Sequence, residues 1–290
     1  MNAEKAVKKE ARTLLSEGNW SKAVAVFFIL FASVMLVLFV QSILVLSVDA
    51  VLSPLFNNLT EFNEIFSTEA EDSLGNSIIS VISSGGALIS YVLGFLFLFP
   101  LYCGVKRFFY KMSKGEEPGI DEVFHYIAKD LKKGLALGGR YGIFCVLKLL
   151  PCMAVPYILI AVIITSELST IAESFLIVAI IATGFAGFWL WTLWTSSQFL
   201  TIYLFIENDC LPAGEYAKIS VVMLKENLNK SVRKLIFSFG GWLLFALTGV
   251  GMIYFIPYFE TALATSAKWM IKLDSESTDA EPIDTQVDSY

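Results

Sequence analysis

The chain has 290 residues, of which 56% are hydrophobic and 14% aromatic against only 17% charged, and its mean hydropathy is +0.66. Soluble domains carry about 25% charged residues, so this composition leaves apolar surface that charged groups cannot cover and excludes a secreted mini-protein or a disordered chain. Lys plus Arg (21) falls short of Asp plus Glu (27), for a net charge of −6, which excludes a basic nucleic-acid module and leaves a polytopic membrane protein.

In chain order, residues 1–22 come first. Ala3, Val7, Ala11, Leu14 and Leu15 recur every three or four positions, which predicts an amphipathic helix lying at the inner membrane interface with Trp20 at headgroup depth. An orientation signal is the plainer reading of the same basic segment. A span follows near 23–48, since Ala23 to Val48 are 26 uncharged residues and about 20 suffice to cross hydrocarbon. It is too long for a signal-peptide core and reads as an anchor. The loop from Asp49 to Asn76 holds six acids and no base; it reads as a solvated outer loop, with a cation or basic-peptide site as the sharper alternative. Asn58-Leu59-Thr60 matches a glycosylation sequon there.

Span two is expected near 78–105, with Ser83-Ser84-Gly85-Gly86-Ala87 either a packing stretch or a helix break. The loop to Arg140 holds eight basic residues. Within it, Ile120 to Leu131 predicts a helix with Val123, Phe124, Ile127 and Leu131 on one face. Span three lies near 141–166, interrupted or kinked at Pro151 and Pro156, and span four near 174–206. Pro212 to Lys234 predicts an amphipathic helix presenting Ala217, Val221, Leu224 and Leu228. Leu235 to Ile271 is too long for one span and predicts a pair, near 235–250 and 252–271, turning at Thr248-Gly249-Val250-Gly251. Residues 273–290 form an acidic tail expected to be disordered. The expected fold is thus an all-α polytopic transmembrane bundle of about six spans within 23–272, with amphipathic interfacial helices on the cytoplasmic side.

Lys and Arg set the orientation. All 21 lie in the segment before span one, the 106–140 and 207–234 loops, at Lys148, or at Lys268 and Lys272; the loops at 49–76 and 167–173 hold none. Both termini are therefore expected in the cytoplasm. Cys103, Cys145, Cys152 and Cys210 fall in spans or on that side, so no disulfide is implied.

Ionisable groups within spans are functional candidates, which nominates Lys148 and Glu260 as an intramembrane polar site; both also have mundane readings at the interface. Gly134, Gly138 and Gly142 form a small-residue stripe of the kind that lets helices approach closely in lipid. His125 is the single histidine and has no ligand cluster around it, so no metal and no cofactor is expected. No phosphate loop, nucleophile elbow or HExxH motif is present, and the carboxylates at Glu116-Glu117 and Asp121-Glu122 lie in a solvated turn, so an enzyme is not expected.

Asn19-Trp20 after the amphipathic helix, Gly104-Val105-Lys106-Arg107-Phe108-Phe109 with Pro118 and Phe124, and the block from Tyr203 through Ser220, Phe237 to Leu244, Gly249-Val250-Gly251 and Pro257-Tyr258 together resemble the DUF975 family of bacterial integral membrane proteins. That family is similar to the membrane domain attached to some glycerophosphodiester phosphodiesterases, whose catalytic domain has no counterpart in this sequence. The resemblance implies a Gram-positive inner-membrane protein of about six spans, without catalytic residues to carry over. The functional expectation is a non-catalytic protein of the cell membrane, acting through lipid contact, anionic lipid at the cytoplasmic face included, or through a protein partner or a second copy of itself. The alternative is a permease-like subunit with a polar site near Lys148, the Ser83–Ala87 break and Glu260.

Overall fold

A computed structural model describes residues 3–63, 94–165, 170–208, 210–224, 226–246 and 248–279. Every regular element among the described residues is helical. Three helical stretches are long and apolar enough to cross a membrane: Trp20–Ile43, Leu131–Ile163 and Ile171–Glu207.

The N-terminal helix α1 (Ala3–Leu14) passes through a wide π-type turn, Leu15–Asn19, into α2 (Trp20–Asn63). Gly18 sits in that turn at φ +87°, a conformation that favours glycine. Val7, Ala11 and Leu15 are buried, as their spacing predicts. Their cover is protein, since α1 packs on α12 (Val250–Asp279) and α10 (Glu226–Phe237). Polar contacts fix the seat: Lys8 Nζ donates to the Ser238 carbonyl at 3.0 Å and Lys268 Nζ to Glu10 at 2.5 Å.

Helix α2 does not stop where the uncharged run stops. Its 44 residues extend about 66 Å at 1.5 Å each, so Asp49 to Asn63, expected as loop, are helical. Residues 64–93, including Ser83–Ala87 and most of span two, lie outside the described residues. Helix α3 (94–113) then carries the chain past the expected end at Val105. Lys106 and Arg107 belong to this helix, and each has an acidic partner, Glu260 and Glu122 respectively. A paired cation need not end a helix.

The expected helix at Ile120–Leu131 is two pieces. A 3₁₀ turn, Ile120–Phe124, leads into α4 (His125–Ala128). Three residues per turn align Val123 with Tyr126, and those two are buried while Phe124 and Leu131 are exposed. Glu122 is clamped by Arg107 Nε and Lys111 Nζ, each at 2.7 Å. Burial pushes the Glu122 carboxyl up, but the Lys111 and Arg107 hydrogen bonds outweigh it and hold the group below the usual carboxylate range. Such a group stabilises the fold above its unfolded-state pKa, and the contribution is lost as pH falls through the folded value. Glu122→Gln should therefore lower the thermal midpoint at pH 7, with the gap to the unaltered protein closing as the medium is acidified.

Helix α5 (Leu131–Leu137), a π-type turn at Gly138–Gly142 and α6 (Ile143–Thr165) form one continuous stretch that starts ten residues before the expected span. Pro151 and Pro156 sit inside α6 without ending it. Pro156 cannot donate to the Cys152 carbonyl, and Gly187 of α7 (Thr170–Thr195) packs on that carbonyl: a Cβ there would lie 2.2 Å from its oxygen. Trp191 Nε1 donates to the Cys145 carbonyl at 2.9 Å, which pins α6 and α7 as an antiparallel pair.

The fourth apolar run breaks. After α7 comes a 3₁₀ turn, Ser196–Gln198, and then α8 (Thr201–Glu207). Helices α9 (Ala213–Met223) and α10 replace the single amphipathic helix. Tyr216, Ser220 and Leu224 face inward, while Val221 is exposed. The turn at Thr248-Gly249 falls where the sequence predicts. Gly249 adopts φ +71°, and Thr248 Oγ1 accepts from Gly251 N at 3.2 Å, an N-cap for α12. Before it, however, lie only α10 and the short α11 (Gly240–Ala246), and seven residues cover about 10 Å. The α12 helix continues through Asp279, so the start of the acidic tail is helical; residues 280–290 lie outside the described residues.

The exposed large hydrophobics concentrate on α2, α6 and α7, Phe39, Leu147 and Phe175 among them. The packed core is built instead by the less apolar helices. Its axis is the middle of α12, where Glu260 through Ala267 are all buried. The small side chains of Thr261, Ala262, Ala264, Thr265 and Ala267 allow close approach on every side. The Thr261 and Thr265 hydroxyls return to the carbonyls of Pro257 and Thr261.

Candidate functional site

Glu260 is the sole acid of its apolar run, and such a group must find a partner or lose its charge. The partner is Lys106 Nζ, 2.5 Å from Glu260 Oε2. The two side chains are only 5% and 11% exposed. An ammonium carries three N–H donors. One goes to Glu260; the nitrogen otherwise lies over the rings of Tyr102 and Tyr203, 5.0 and 5.8 Å from their centroids. Tyr203 Oη is buried beside this ammonium and meets its charge, with no fully formed hydrogen bond among the described residues.

Lys106, Tyr102 and Tyr203 border a cavity of about 240 Å³ whose lining also includes Tyr141, Trp191 and Thr195, with Glu260 behind the ammonium. The volume is below the roughly 300–1,000 Å³ of drug-sized sites, which suits a small solute or several waters. Its other wall is the break after α7. There the helical hydrogen-bond ladder lapses, and side chains from α9 and α10 replace it. Arg233 donates to Ser196 Oγ at 2.9 Å and to the Leu193 carbonyl at 3.2 Å. Ser220 Oγ donates to the Ser197 carbonyl and accepts from Leu200 N, both at 3.2 Å. Gln198 Oε1 and Thr201 Oγ1, buried at the same break, have no partner among the described residues. The site therefore joins a buried charge pair, a buried tyrosine hydroxyl and an interrupted membrane-length helix beside one hollow.

Of the two nominated ionisable residues, Glu260 belongs here and Lys148 does not. Lys148 Nζ lies over Phe144 and Trp194, 5.4 and 5.1 Å from their centroids, on the α6/α7 pair. Lys106, Tyr203 and Ser220 stood out from sequence only as residues of the family resemblance, and Ser196 and Arg233 did not stand out at all. One signal was present: the Ser174 to Ile206 run is 33 residues, about 50 Å of helix against about 30 Å of hydrocarbon, and Ser196-Ser197 is its most polar point.

Gly134, Gly138 and Gly142 do form one packing stripe, and its partner is α3. A Cβ at each would meet Pro100 (3.2 Å), Phe99 (2.6 Å) and the Phe95 ring (2.1 Å) in turn. His125 stands 3.4 Å from Asp130; burial, then the Arg107 charge, holds the imidazole below its usual range. Among the described residues no three His, Cys, Asp or Glu side chains converge as a metal site.

Comparison with known proteins finds no matching family model, no similar curated protein and no similar solved structure.

Proposed function

We propose that this chain is a multi-pass, non-catalytic protein of the cell membrane that holds a small polar solute within its helical bundle, as a permease or permease-like subunit does. The observation that carries this reading is the cavity where the Lys106 ammonium and the buried Tyr203 hydroxyl beside it meet the break at Ser196–Gln198. Interrupted helices and intramembrane charges are the usual furniture of solute paths. About six spans, cytoplasmic termini and membership of the DUF975 family belong to the same proposal. Several residues of that resemblance lie at this site, Lys106, Tyr203 and Ser220 among them.

A second reading is a structural envelope protein that works through lipid or partner contacts or as a homo-oligomer. It is favoured by Arg233 and Ser220, which satisfy the exposed backbone of the break from within.

Single-cysteine variants in a background lacking the other native thiols separate the two. A charged, membrane-impermeant thiol reagent should label the native, exposed Cys210 only from the cytoplasmic face and Thr60→Cys only from outside. On the solute-holding reading it labels Thr195→Cys, in the cavity wall, from one face, and more slowly than Cys210. Labelling of Thr195→Cys only after unfolding would remove the solute-holding reading, and outside labelling of Cys210 would invert the topology.

A further inference from the structure

A second hollow, of about 390 Å³, opens where α1 turns into α2. Trp20, Trp242, Tyr254 and Tyr258 wall it, and Arg12 is the one charged residue in its described lining. Trp20 stacks on Tyr254 with ring centroids 5.4 Å apart, and Trp242 meets Tyr258 edge-on at 5.8 Å. The wide turn with Gly18 at positive φ holds α1 at the angle that leaves this slot.

Arg12 Nε donates to Tyr258 Oη at 3.2 Å. A guanidinium has five donors, and Arg12 has no ion pair among the described residues. The remaining donors are free to meet an anion, and the described lining has no acid to repel one. The helices that wall the slot also carry exposed apolar side chains. Phe28 and Phe31 of α2 are exposed beyond Trp20, and Val250, Met252 and Tyr254 are exposed on the first turns of α12. Trp and Tyr mark headgroup depth, and a basic amphipathic segment beside them favours anionic lipid.

We propose that this slot seats one acidic glycerophospholipid, its phosphate on the Arg12 guanidinium and an acyl chain along Trp20 and Tyr254. Free phosphate shares the anionic chemistry but leaves four aromatic walls wet, whereas a lipid covers them. The proposal rests on the membrane placement of α2 and is independent of the solute cavity; the thiol labelling above reads that placement separately.

The test uses the full chain, stripped of native lipid in neutral detergent and titrated with dioleoylphosphatidylglycerol, dioleoylphosphatidylcholine or inorganic phosphate, with bound lipid read by native mass spectrometry. Phosphatidylglycerol is expected to bind in preference to phosphatidylcholine, and Arg12→Gln should weaken that preference about fivefold. Tyr258→Phe, which removes the Arg12 hydrogen bond and keeps the charge, should preserve the preference, as should Lys132→Gln on a distant exposed residue. Equal loss in Arg12→Gln and Tyr258→Phe would assign Arg12 a structural role and overturn the proposal. An unchanged preference in Arg12→Gln, or displacement of phosphatidylglycerol by equimolar phosphate, would overturn it as well.

Discussion

Lys106→Met and Glu260→Leu, each made alone, are expected to destabilise the protein by about 3–5 kcal/mol, while the two combined recover most of that loss or exceed the starting stability. The asymmetry follows from burial. The pair is separated by 2.5 Å and is 5% and 11% exposed, so deleting one member leaves the other charged in a largely desolvated site without its counter-charge. Deleting both removes the desolvation cost with the attraction. Thermal unfolding of the four proteins in one detergent measures the coupling as a double-mutant cycle; additive losses would mean that the two groups do not depend on each other. On the solute-holding reading, the stable double variant keeps the fold and loses the ammonium that faces the cavity.

Gly104→Ala is the second large effect. The Gly104 Cα lies against the Val123 backbone, where a Cβ would stand 1.9 Å from the carbonyl oxygen and 2.6 Å from its carbon. Backbone cannot rotate aside as a side chain can, so the 3₁₀ turn at Ile120–Phe124 must shift off α3. That shift strains the Glu122 clamp on Arg107 and Lys111. Overpacking of this kind costs about 1–3 kcal/mol and sometimes more, and the upper end is expected here. Gly184→Ala is the control, because a Cβ there meets nothing within 4 Å. A thermal midpoint for Gly104→Ala no lower than that of Gly184→Ala would contradict the contact.

What the sequence discloses and what it hides divide along physical lines. The hydrocarbon core demands long apolar helices, so the stretches at Trp20–Ile43, Leu131–Ile163 and Ile171–Glu207 were visible through the apolar runs they share, 23–48, 141–166 with Lys148 as its one charge, and 174–206. The turn at Gly249 was visible because Thr-Gly-Val-Gly is local chemistry. The Gly134, Gly138 and Gly142 stripe was visible as spacing, although its partner, α3, was not.

Charge misled wherever tertiary pairing cancels it. Lys106 looked like the start of a loop because a lone cation ends a span; Glu260, 154 residues away in sequence, makes it a core residue. Glu260 and Lys148 were nominated together as one polar site; the fold pairs Glu260 with Lys106 and gives Lys148 to aromatic faces. The amphipathic helices were predicted as elements, yet their apolar faces do not separate lipid from protein by pattern alone. For α1 the cover is α12 and α10. The break at Ser196–Gln198 was hidden because Ser220 and Arg233, which complete it, come from a segment that reads in sequence as one amphipathic interfacial helix.

An electron cryo-microscopy map of the full chain in lipid nanodiscs tests the central claim most directly. The account expects α7 to end at Thr195, a lipid belt around α2, α6 and α7, and ordered solvent or solute density touching both Lys106 Nζ and Tyr203 Oη in the cavity. An unbroken helix through residues 196–200, with the hollow closed, would contradict it.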